Sequence, residues 1–403
     1  MQMNAALEEA QDPSTTAERL QQLAMSKDKK VCAAVAQNPN TAPETLYELF
    51  TNYPVEVLNN SILDFLLLEN PNYLYELYTI YPLAFSFHDL PLFYIEWAVN
   101  HELEHVRLAV LDNKSIPIKY LEKFIDDDSV KVRCKLTQSL HVPEELIIRL
   151  TQDKSEEVRL HLTKYRRESS IITKILADDI STEVRAAIAR NWVTEAPVLE
   201  KLAKDKVLSV RIRVAANRTT PKYILELLAK DESSDVRYEV ANNDSTATEI
   251  LEQLAKEDKV KIRAAVAKNN NTSKATLEFL AKNCYHISIR RLLAQSSKLS
   301  SDALGYLAKD THDEIRVLVA SNINISINIL KQLSEDKAGR VRLAVAQNTK
   351  TPINCLQKLM HDQHEEVRIA VINNFSTPVN FIKSLTKDGN KKISVLAKNK
   401  INN

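Results

Sequence analysis

Eleven dipeptides, each a Val or Ile followed at once by Arg, mark out most of this 403-residue chain. They are Val106-Arg107, Val132-Arg133, Val158-Arg159, Val184-Arg185, Val210-Arg211, Val236-Arg237, Ile262-Arg263, Ile289-Arg290, Ile315-Arg316, Val341-Arg342 and Val367-Arg368. Every step between them is 26 residues, except one of 27 between Ile262 and Ile289. A constant period of this size is the signature of a repeat array. Each copy is too small to bury its own apolar face, so the copies must stack, and stacked arrays bind partners more often than they transform substrates.

Take the Val or Ile as position 0. Position +4 is always apolar, as in Val214, Val240 and Val266, which sets 0 and +4 on one face of a short helix. Position +5 is mostly Ala (Ala215, Ala241, Ala267), small enough for a neighbouring helix to approach. Position +7 is often Asn, at Asn113, Asn191, Asn217, Asn243, Asn269, Asn322, Asn348 and Asn374. Two roles are open to that Asn: ending the helix in left-handed backbone, or bridging successive repeats through its amide. A second helix is predicted from Thr at +10 (Thr220, Thr351, Thr377), read as N-cap, with Pro next at Pro221, Pro352 and Pro378. Leu pairs at +15 and +18, such as Leu225/Leu228 and Leu251/Leu254, complete its apolar face. Asp recurs at +21, six residues before the next Arg. It is placed to cap the following helix and to pair with an Arg of its own or a neighbouring repeat. The Arg column is therefore read as structural.

Composition agrees with helices. Only 3 Gly occur, too few for a fold of hairpins or phosphate loops. With 54 basic and 53 acidic residues the formal net charge is +1, so no global field draws the chain to nucleic acid or an anionic membrane. Cys32, Cys134, Cys284 and Cys355 lie far apart with no CxxC pair, which argues against a disulfide, structural-zinc or iron–sulfur framework. No signal peptide is visible in MQMNAALEEAQD, and no stretch approaches 18 apolar residues. A cytoplasmic protein without membrane contact and without cofactor or metal is expected.

The unit VRLAVAQNTKTPINCLQKLMHD, residues 341–362, resembles the leucine-rich repeat variant motif and, more broadly, the HEAT-like α-solenoids. Asp336, Val341 and Arg342 match the HEAT spacing. The resemblance runs from about residue 91 to the C-terminus, with residues 31–50 as an outlying copy. It implies an all-α fold, a right-handed α-solenoid of about 14 two-helix repeats of 26 residues. One leucine-rich-repeat-variant family carries an N-terminal cysteine cluster for an iron–sulfur centre. This chain has only Cys32 there, so that cofactor is not carried over.

The breaks in the pattern divide the chain into residues 1–50 as capping repeats, 51–105 as irregular helical repeats and 106–403 as the regular array. Residues 51–105 hold 11 of the 24 aromatic side chains, among them Tyr73, Tyr78, Phe85, Tyr94 and Trp97. They suit either packing or a recognition surface. His101-Glu102-Leu103-Glu104-His105 matches HExxH, the zinc-hydrolase signature, with His88 or a later carboxylate as a third ligand. In register, however, these residues fall where other repeats have the inter-helix turn, which would separate the two histidines. A second break is Lys164-Tyr165-Arg166-Arg167; Arg190, Trp192 and Arg218 lie at similar offsets in the following repeats. Cations interleaved with aromatics can hold phosphate or a single strand, but Glu168 and Glu195 partly neutralise them.

The leading expectation is a non-enzymatic scaffold that binds a protein or peptide, with Lys164, Tyr165, Arg166, Arg167, Arg190, Trp192, Arg213, Arg218 and Trp97 as candidate binding residues. The second is a nucleic-acid-binding solenoid similar to the HEAT-like alkylpurine DNA glycosylases. The third is a zinc-dependent hydrolase at His101/His105.

Overall fold

A computed structural model describes residues 2–402. Among the described residues there are 31 α-helices, two short 3-10 helices and no strand. The chain divides into two units, Met1–Thr194 and Glu195–Asn403. The register breaks expected near residues 50 and 105 both fall inside the first.

The repeat Leu208–Ala216 plus Lys222–Leu228 shows the unit plan. Val210, Val214 and Ala215 are buried on the first helix, and Ile224, Leu225 and Leu228 on the second. Helices of seven to nine residues are unstable alone in water. Stacking supplies the missing stability: Ser234–Asn242 packs against both Leu208–Ala216 and Val260–Lys268, the first helices of the repeats before and after it. Within each unit the chain is a helical repeat solenoid.

Three polar columns tie the repeats together. In the first, most of the arginines grip the carboxylate 20 residues on with Nε and Nη2, while Nη1 donates to the carbonyl six residues back; Arg290 differs in that its Nη1 donates to Tyr285 O, five residues back. Arg133 meets Asp153 at 2.7 Å and 3.0 Å, and its Nη1 donates to Asp127 O. In the second unit Arg316–Asp336, Arg342–Asp362 and Arg368–Asp388 repeat this, and Asp336 O accepts from Arg342. The Asp does not itself occupy the N-cap. It accepts the N–H two residues on, as Asp153 does from Ser155, and so fixes the turn into the next helix.

The second column settles the role of Asn. Among the described residues no backbone has positive φ, and Asn243 is extended at φ −77°, ψ 126°. Its amide instead reaches back one repeat, donating to Ala215 O at 2.7 Å and Asn217 O at 2.9 Å. Asn269, Asn322 and Asn374 do the same, and so do Asn38, within residues 1–50, and Asn60, within residues 51–105.

The third column corrects the expected Thr cap. Pro221 occupies the N-cap of its helix at φ −60°, ψ 152°. Thr220, one residue earlier, donates its hydroxyl to Val214 O at 2.7 Å. That carbonyl belongs to the last turn of the preceding helix and accepts Asn217 N at 3.2 Å as well. Thr194, Thr351 and Thr377 repeat the bond.

The arginine column has one gap. After Arg263 the residue 20 positions on is Asn283, inside a helix, Lys274–Asn283, that is longer than its counterparts. Arg263 turns instead to exposed Asp258 at 3.1 Å. The gap coincides with the single 27-residue step. Local opening should be easiest where a buried tie is missing. Hydrogen exchange should therefore be faster at residues 280–287 than at the equivalent 306–313, and equal protection would refute this.

In the irregular segment most rings pack. Tyr73, Tyr78, Phe85 and Tyr94 are buried, whereas Phe65 and Phe93 are exposed. Phe85, Tyr94 and Trp97 form a stack with centroids 4.8 Å and 5.3 Å apart and planes within 10° and 6° of parallel. Large rings here fill the space that Ala and Leu fill elsewhere.

Candidate functional site

The register break at residues 164–167 forms an open groove of about 720 Å³. One wall is the end of Glu156–Tyr165 and the turn after it, contributing Lys164, Tyr165, Arg167 and Glu168. The other comes from the preceding repeat: Leu140, Val142, Glu144 and Ile147. Ser169 closes one end, capping Ser170–Leu176 through Ile172 N and donating to Glu144 at 2.5 Å. Two cations lie over rings at the rim, Lys164 Nζ 4.8 Å from the Tyr165 centroid and the Arg167 guanidinium 5.4 Å from that of Trp192. Trp192 is 59% exposed and Leu140 85%. A partly apolar groove with cations held over aromatic faces suits an acidic segment bearing an apolar anchor.

Arg166 lines this groove but is already engaged. Its Nε donates to Thr137 O at 2.9 Å and its Nη2 to Ser139 O at 2.5 Å. Those are the two carbonyl positions that the Asn amide takes in other repeats. This repeat has Tyr165 in the Asn position, and the guanidinium one residue later restores the bridge. Burial pushes the Arg166 pKa below its ordinary value. Arg166 is therefore placed to build the groove.

The other sequence-chosen residues divide between the two units. Arg190 and Trp192 are exposed in the first. Arg213 and Arg218 are exposed in the second, where Arg218 pairs with Asp244 at 3.5 Å. Burial raises the carboxyl pKa of Glu239, and the charge of Arg213 opposes this. Trp97 is half-buried in the aromatic stack and makes a T-shaped contact with His101, at 4.8 Å between centroids.

The HExxH match straddles a helix start. Helix Glu104–Val110 begins after Leu103, so His101 and Glu102 lie in the preceding turn. His101 Nδ1 accepts from Leu103 N at 3.1 Å, and its ring stacks on Tyr75. The carbonyls of His101 and Glu102 accept from Arg107. The i, i+4 geometry of a zinc helix is absent from this segment.

Sequence reasoning missed the far wall of the groove, Leu140 to Ile147. The signal was available: Leu140 is 26 residues before Arg166, so one period makes them lateral neighbours.

No protein-family model matches this chain, and no curated protein matches it. Solved structures do. One is described as a leucine-rich repeat variant with a novel repetitive protein structural motif. It is 27% identical and covers 57% of this chain and 85% of that one, with a TM-score of 0.41. A chain of the Kap95:Nup1 complex is 11% identical over 97% of this chain and 57% of that one, TM-score 0.32. A chain of the Pds5–Scc1 complex is 13% identical over 99% and 80%, TM-score 0.30. Among the described residues no helix is long and apolar enough to cross a membrane.

Proposed function

We propose that this protein is a non-enzymatic interaction scaffold that binds a protein or peptide segment along its helical repeats, with the groove at residues 164–169 as the principal seat. The observation that carries this reading is the groove itself: apolar Leu140, Val142 and Ile147 beside Lys164, Tyr165 and Arg167, with the exposed Trp192 ring against Arg167. Its preferred ligand is an extended acidic peptide with one aliphatic or aromatic anchor. Trp and Arg at the centre of such sites carry a disproportionate share of binding energy.

Selection of peptides from a displayed random library against the purified chain tests this. Enriched sequences should be acid-rich around an apolar residue. Their affinity should fall by about 30-fold in Arg167→Glu and Trp192→Ala, on the order of 2 kcal/mol. Peptides that bind both variants as well as wild type would remove the groove from the function.

A second reading, a single-stranded nucleic-acid site, is favoured by the two cation–ring pairs, which resemble base-stacking platforms. The formal charge of +1, far from the basic excess of proteins that bind polyanions, opposes it. Fluorescence anisotropy with a labelled single strand decides between them: nucleic-acid binding should strengthen steeply as salt is lowered, and peptide binding should predominate if it does not.

A further inference from the structure

Cys134 lies on helix Val130–Gln138, with its side chain buried and its thiol free. The first helix of the next repeat, Glu156–Tyr165, carries Glu157 and His161 four residues apart, on one helical face. Stacking turns that face toward Cys134. The Cys134 sulfur, a Glu157 carboxylate oxygen and an imidazole nitrogen of His161 all lie within 4.8 Å of one another. No other trio of His, Cys, Asp or Glu is so gathered among the described residues.

The hydrogen bonding around these groups is incomplete. His161 Nδ1 is buried with no hydrogen-bond partner among the described residues, and leaving such a group unpaired costs about 1–3 kcal/mol. Cys32 offers a contrast, since its thiol donates to Ala24 O and Ser26 O. Cys134 Sγ has no such partner among the described residues.

We propose that Cys134, Glu157 and His161 bind a divalent d-block cation, zinc foremost, that bridges two successive repeats. One sulfur, one nitrogen and one oxygen ligand is a donor set that suits zinc. The hard cations Mg²⁺ and Ca²⁺ take oxygen alone. Tetrahedral ligands about 2.0–2.3 Å from zinc stand roughly 3.3–3.8 Å apart. Exposed Glu157 is free to close the remaining distance and leaves the fourth position to water. The inference is independent of the groove reading.

The test uses the full-length, tag-free chain stripped of metal and titrated with zinc chloride, and separately with cobalt chloride as a spectroscopic probe. One ion per chain is expected, with a thiolate-to-cobalt charge-transfer band that disappears in Cys134→Ser. Zinc affinity should fall more than about 100-fold in Cys134→Ser and in His161→Gln, beyond what loss of an orienting group costs. Cys355→Ser, at a buried cysteine of the second unit, should leave affinity unchanged. Should either core variant fail to fold by circular dichroism, Glu157→Gln at the exposed ligand carries the test and should also weaken zinc. Zinc held equally by wild type and the folded variants, or a cobalt complex without the charge-transfer band, would show an adventitious ion only and overturn the proposal.

Discussion

Arg316→Ala should destabilise the second unit by about 3–5 kcal/mol, seen as a lowered urea midpoint for loss of helical signal. That is the usual cost of removing one partner from a buried, hydrogen-bonded ion pair, because the other charge stays buried. Arg316 and Asp336 are only 7% and 8% exposed and meet at 2.6 Å. The guanidinium also donates to Asp310 O and Thr311 O, so one substitution releases two repeats. Arg316→Lys should recover little, since a single ammonium cannot replace a planar fork that serves a carboxylate and a carbonyl together. An unchanged midpoint in Arg316→Ala would sink the ladder as a source of stability.

The same pair sets the acid limb of stability. Burial opposes ionisation of Asp336, but hydrogen bonds from Arg316 and Ala338 N prevail and hold its carboxyl below the ordinary value. Asp310, Asp362 and Asp388 are lowered against burial in the same way. A carboxyl depressed in the folded state contributes stability that is fully present above its unfolded value, about 3.9, and is lost as pH falls through its folded value. Stability should therefore drop as pH falls below about 4, and the drop should be shallower in Arg316→Ala.

Asn243→Asp should cost more than Asn243→Ala at neutral pH, the latter on the order of 2–4 kcal/mol. The Asn243 amide supplies two donors to buried carbonyls and one acceptor to Ser245 N. Alanine leaves those groups under-satisfied, at about 1–3 kcal/mol each where no second partner remains. A carboxylate is worse, because it turns acceptor oxygens toward Ala215 O and Asn217 O. Protonation would restore one donor, so the deficit of the Asp variant should shrink as pH falls. Thermal unfolding of both variants across pH measures this. An Asp variant as stable as wild type at pH 7 would contradict the amide bridge.

Local spacing made much of this molecule legible. The 26-residue period, the two short helices per unit, the apolar faces and the pairing of the Arg column with Asp all follow from residues that lie within one repeat or at a fixed offset. Even the missing tie after Arg263 is visible as a 27-residue step with no acid at the paired position. The turn position of His101 and Glu102 was legible for the same reason.

Tertiary structure decided which side of each helix meets which neighbour. Sequence left Asn243 open between a left-handed helix end and a bridge, and packing resolved it, because the carbonyls it reaches lie 26 and 28 residues back. It also turned Arg166 from an apparent ligand-binding cation into a substitute for the missing Asn. Cys134, Glu157 and His161 carry no recognisable spacing as a string. They meet because one period brings Cys134 level with Leu160, which has Glu157 one turn before it and His161 next in sequence. The period specifies which residues are lateral neighbours; only the azimuth of the packed helices specifies which of their side chains touch.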